Sequence, residues 1–131
     1  MLFIYNWQKN NMSNEIRDDI VGYQLAERIK SGLIIGFKVI SAAERLEGSE
    51  LAGAKKTIFA YLDALSSETN IALSATGMEE FSQVSEMIAE IKRSVDEGTF
   101  NVANAKIGEA LSRATTACDK KMRALIGRGL F

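Results

Sequence analysis

Apolar residues recur every three or four positions along nearly all of this chain, and no proline interrupts them in 131 residues. An average chain of that length would carry roughly six prolines. Spacing of three and four sets side chains on one face of a helix. Without proline, nothing forces a helix to end. No stretch of strand length alternates apolar with polar residues, the first five residues excepted. Helix boundaries therefore fall to glycine and small polar residues: Gly48-Ser49, Thr76-Gly77 and Gly98-Thr99.

Four helical segments follow. The first opens at Ser13 as N-cap, with Glu15, Asp18 and Asp19 near the positive end of the helix dipole. Its stripe is Ile16, Ile20, Tyr23, Ala26, Ile29, Leu33, Phe37 and Ile40. Ile34, Ile35 and Val39 add apolar character on other sides, which suits a central helix. Unbroken over 13–47 it would be about 52 Å long, more than its partners. Two readings stay open: a kink near Gly32, or a straight helix that protrudes and pairs with a second copy.

The second segment starts at Ser49, carries Leu51, Ala54, Ile58, Leu62 and Leu65, and runs to about Ala75. Phe59 and Tyr61 flank that stripe. Thr76 and Glu79 have the spacing of a capping box for the third, while Gly77 could instead close the second. The third has a heptad seam of Phe81, Val84, Ile88, Ile91 and Val95. The fourth runs from Phe100 or Asn101 to Ile126, with Ile107, Leu111, Ala114, Cys118, Met122 and Leu125 on one face. Ala103, Ala110 and Ala117 line the neighbouring face and permit close helix approach. Short loops make neighbours antiparallel. The expected fold is all-α: an antiparallel up-and-down four-helix bundle, its first helix long.

One domain over 12–131 is expected, preceded by an apolar extension at 1–11, MLFIYNWQKNN. No base precedes the apolar stretch, so it makes a poor secretory signal. Met12 opens a second plausible start, MSNEIRDD. The extension reads either as a disordered or non-native leader, or as an arm whose Phe3, Ile4, Tyr5 and Trp7 dock on the bundle. The most apolar run, 32–43, is 12 residues and contains Lys38. A span needs about 20 residues, so no membrane span is expected.

The chain has no histidine and one cysteine, Cys118. That excludes imidazole bases, imidazole metal ligands, Cys-His nucleophile pairs and CxxC motifs. Tyr, Lys and carboxylates remain as acid–base groups. The lone cysteine fits a reducing, cytoplasmic compartment and a small buried hydrophobe. Glu44 and Glu47, and Glu86 and Glu90, share helix faces. Di-iron bundles add Glu-x-x-His, which is impossible here. Helical metal-dependent pyrophosphatases add a second acidic pair, whereas Glu50, Asp63 and Glu68 are spaced 13 and 5 apart. No metal and no cofactor are expected.

Gly98-Thr99-Phe100-Asn101-Val102-Ala103, continuing to Ile107, Ala110 and Leu111, resembles the turn and second helix of a tetratricopeptide repeat. The repeat's first-helix pattern, its closing proline and a second copy are missing, and a solenoid needs about three repeats. The segment reads as a helical hairpin in which Gly98 turns the chain and Phe100 seals the turn.

Two candidate sites emerge. Gly32, Ile35, Gly36 and Val39 form a patch for close helix packing or an interface, since paired glycines in a helix cost about 1 kcal/mol each without compensating contact. Lys120, Lys121, Arg123 and Arg128 form a candidate phosphate or nucleic-acid patch. Residues 78–97 carry a net charge of −4 and residues 99–131 carry +4. Complementary edges of neighbouring helices explain that asymmetry equally well. The leading expectation is a small noncatalytic bundle working through protein–protein contact, as a homo-oligomer or a subunit of a complex. Alternatives are nucleic-acid accessory binding through the basic fourth helix, and a small-ligand pocket near Gly32, Gly36 and Cys118.

Overall fold

Four helices run in chain order: α1 (Leu2–Ala43), α2 (Gly48–Thr76), α3 (Glu79–Asp96) and α4 (Phe100–Gly127). The structure is a computed structural model that describes the backbone of residues 2–130 and the side chains of residues 13–130. α1 packs on α2 and α4, and α3 packs on the same two helices. The helices thus form a ring of four neighbours around one apolar core, the expected up-and-down bundle. No strand occurs among the described residues.

Local chemistry sets the turns. Gly77 takes the left-handed conformation, φ 66°, and its N–H donates to the Leu73 carbonyl at 2.7 Å. A side chain would be strained there, so glycine ends α2. The capping box expected of Thr76 and Glu79 does not form. Thr76 is the last residue of α2, and its hydroxyl donates to the Ala72 carbonyl and accepts the Met78 N–H. The break at Gly77 leaves Thr76 on the wrong side of the boundary to cap α3. Gly98, φ 80°, turns the chain into α4 as expected, with Phe100 buried behind it.

The seams of α2, α3 and α4 match the spacing read from the sequence. Ile58, Leu62 and Leu65 are buried, α2 continues through Ser66-Ser67, and all five residues of the α3 seam are buried. In α4 the small-residue face, Ala103, Ala110 and Ala117, is fully covered, while on the expected apolar face Ile107, Ala114, Cys118 and Leu125 are buried and Leu111 and Met122 are half-buried.

α1 departs from the expectation at its start and in its position, and of the two readings open at Gly32 it takes the continuous helix. It begins at Leu2, so Ser13 lies inside the helix and is not its cap. Nothing between Leu2 and Ser13 is a helix breaker. It stays helical through Gly32 and Gly36 to Ala43, where the turn comes before Glu47. It is also a corner helix, whose main packing is against α2 and α4. The expected stripe is therefore misplaced in part, because Ile20 and Phe37 are exposed. The buried seam is Asp19, Gly22, Ala26, Ile29, Leu33, Gly36, Ile40 and Ala43, in steps of three and four. Small residues make half of that seam, so a search for large residues slides off it. The idea that Phe3, Ile4, Tyr5 and Trp7 dock on the bundle falls on side chains outside the described residues.

The α1–α4 register follows from direct contacts. A Cβ on Gly22 would sit 2.8 Å from Lys121 Cε, and one on Gly36 would sit 3.8 Å from Ile107 Cδ1. Large residues of α4 therefore lie over glycines of α1. The same register puts Ile29, Leu33 and Ile40 of α1 at the levels of Ala114, Ala110 and Ala103 of α4. Large meets small at each of these three levels, as close packing requires.

Candidate interaction face

Ile20, Glu27, Ile34 and Ser41 stand seven residues apart and share one flank of α1. Two of them reach α4. The Cys118 thiol donates to Glu27 Oε1 at 2.9 Å, and Asn104 Nδ2 donates to Ser41 Oγ at 3.0 Å. Ile34 and Ile20 on that flank are 44% and 40% exposed, and Phe37 beside them is 47% exposed. Ile34 and Phe37 form one wall of a groove of about 290 Å³. Asn104, Ile107, Gly108 and Leu111 of α4 form the rest. The lining is almost wholly apolar, and Asn104 Oδ1 is a buried acceptor without a partner.

Gly108 opens this groove. A Cβ there would meet nothing within 4 Å, so no packing inside the chain calls for glycine in mid-helix. Glycine costs about 1 kcal/mol against alanine at an exposed helical position. Gly108→Ala is accordingly expected to raise stability by about 1 kcal/mol in urea unfolding.

The structure divides the Gly32, Ile35, Gly36 and Val39 patch. Gly32 and Gly36 face α2. A Cβ on Gly32 would lie 2.6 Å from Leu65 Cδ1, and Tyr61 covers Gly36 and donates its hydroxyl to the Gly32 carbonyl. Val39 is half-buried, while Ile35 is 50% exposed and points away from the bundle. The two glycines thus serve internal packing against α2. Cys118 meets Glu27 on the α4 side, so Gly32, Gly36 and Cys118 do not converge on a common pocket.

Three of the four basic-patch residues hold carboxylates of the same chain. Lys120 pairs with Glu80 of α3. Lys121 bonds Asp19 Oδ1 at 3.0 Å, and Arg128 reaches Asp19 Oδ2 at 3.1 Å and Glu15 at 3.6 Å. Arg123 is exposed and, among the described residues, has no ion pair. Lys106 pairs with Glu90, a second contact between basic α4 and acidic α3. The charge asymmetry of the sequence is spent largely across helix edges. Asp19 is the residue the sequence reading missed, for it is buried and anchors the end of α4. Its signal was its place in the spacing of three and four beside Gly22, which gives Lys121 room to lie across α1.

Titration follows these contacts. The hydrogen bond from Cys118, and then that from Lys30, hold the Glu27 carboxyl below its ordinary pKa. Burial opposes the charge of Glu80, but the Lys120 hydrogen bond, its own backbone N–H and Arg113 outweigh it and lower that pKa too. A lowered carboxylate pKa stabilises the fold fully above the unfolded value, about 4.3, and loses that effect as pH falls through the folded value. Thermal melts are expected to fall as pH drops below about 4.3, and Glu80→Gln is expected to flatten part of that fall. Burial, with Glu27 beside it, pushes the Cys118 thiol up to about 11, so it stays protonated at neutral pH.

Among the described residues no cluster of three or more Cys, Asp and Glu has metal-binding geometry. Among them, too, no helix is long and apolar enough to cross a membrane. Comparison with protein-family models, with curated proteins and with solved structures gives no match.

Proposed function

We propose that this bundle works through protein–protein contact, on the flank of α1 that borders α4. The observation that carries this reading is the apolar groove walled by Ile34 and Phe37. Large apolar side chains stand half in water there, beside a glycine whose missing side chain serves nothing inside the chain. Apolar patches of this kind mark contact surfaces. The fold already satisfies the bases of α4 with its own acids, so a phosphate backbone would have to break ion pairs at Lys120, Lys121 and Arg128. The protein-contact reading is favoured over nucleic-acid binding for that reason.

A photoreactive residue in place of Ile34, in the wall of the groove, introduced in the cell that makes the protein, tests this. Protein adducts are expected well above those from the same residue in place of Ile71, an exposed position on α2. Equal, background-level labelling at both positions would overturn the reading.

A further inference from the structure

We infer that the occupant of the α1–α4 groove is a second copy of this chain, and that the segment which fills it is the first three turns of the partner copy's α1. The inference rests on the proposed contact function and names its partner.

The first observation is one of length. α1 has 42 residues, about 63 Å, while α4 has 28, about 42 Å. Arg128, just past the end of α4, pairs with Glu15 and Asp19. Arg28 of α1 pairs with Glu68 of α2, which places the end of α2, Thr76, near the level of Ile20. Residues 2–14 of α1 therefore run past the ends of both neighbouring helices, a protrusion of about 18 Å. An isolated helical stretch of that length is marginal in water and needs a surface to pack on.

The second observation is composition. The protruding stretch opens with Leu2, Phe3, Ile4, Tyr5 and Trp7, the largest aromatic cluster in the sequence. The groove is the apolar recess beside the same helix, and it is bare at Gly108.

The third is position. The groove lies at the level of Ile34 to Phe37, and the apolar stretch is centred some 30 residues earlier on the same continuous helix. A two-fold axis crossing α1 near Val21 brings those two levels together, with the two α1 helices antiparallel. Each copy then lays its protruding turns along the other's groove, and Ile20, exposed on the same flank two heptads before Ile34, falls at the axis. Such a contact is isologous and closes on itself, as two-fold dimers do.

The test uses the full chain with Cys118→Ala, in which Trp7→Cys and Gly108→Cys are made on separate copies and coexpressed. A short bismaleimide is expected to join the two different copies and to leave either variant alone unjoined, because like positions lie about 40 Å apart. In sedimentation, Gly108→Leu, which fills the groove, is expected to turn a two-chain particle into a single chain without lowering its melting temperature. A two-chain particle that gives no cross-link between these positions, or that Gly108→Leu leaves intact, overturns this inference and leaves the contact function standing. A single chain at every concentration also overturns it. The contact function itself then stands or falls with the adducts at Ile34.

Discussion

Replacing Leu33 by alanine is expected to destabilise the bundle by about 2–5 kcal/mol, the usual cost of emptying a buried leucine site. Leu33 is 1% exposed and sits in the seam between α1 and α4. Ala110→Leu, at the same level on α4, is expected to cost about 1–3 kcal/mol, because a fully buried alanine leaves no room for three more carbons. The register makes a sharper claim about the pair together. If Leu33 fills the space that Ala110 leaves, then exchanging the two restores the volume. The double variant should be more stable than the sum of the single losses predicts, by about 1–3 kcal/mol. Urea unfolding of the four proteins measures this. Additive losses would mean that the two residues do not face each other.

Asp19→Ala is expected to cost about 3 kcal/mol, the low end for breaking a buried pair, since Lys121 keeps some contact with solvent. The loss comes from two sides. Lys121 is left lying over Gly22 without an anion, and Arg128 retains only the longer contact with Glu15. Replacing both partners by apolar residues, Asp19→Leu with Lys121→Met, should recover most of the stability, because neither charge is then stranded. The readout is again urea unfolding. Equal losses in the single and double variants would show that the ion pair does not tie α4 to α1.

Much of this fold was legible in the sequence because two of its seams, those of α2 and α3, are built mainly from large side chains. Phe81, Val84, Ile88, Ile91 and Val95 announce their face directly, and burial follows it. α1 was harder. Ile20, Ile34, Ile35 and Phe37 are as apolar as Ile29 and Leu33, so hydrophobicity does not choose between faces. The choice is made by Gly22, Ala26, Gly36 and Ala43, whose absent or single-methyl side chains let α2 and α4 approach. Small residues contribute little to an apolar count but decide the register. Thr76 misled for a different reason. Its spacing to Glu79 suits a cap, yet the backbone of Gly77 had already closed α2. The charge asymmetry between 78–97 and 99–131 was visible, and so was its explanation by facing edges, which the Lys106–Glu90 and Lys120–Glu80 pairs embody. The groove was not visible. It depends on Gly108 and Phe37 meeting across two helices that lie far apart in the chain, which no local pattern encodes.

Sedimentation velocity of the full chain beside its Phe37→Glu variant, at matched concentrations, tests the covering of the α1 flank most directly. Phe37 stands 47% exposed, so the charge is compatible with the folded bundle. The unchanged chain is expected to sediment as a particle of twice 14.4 kDa and the variant as a single chain. Identical distributions for the two proteins, whether both single or both paired, would contradict the assignment of this flank to a second copy.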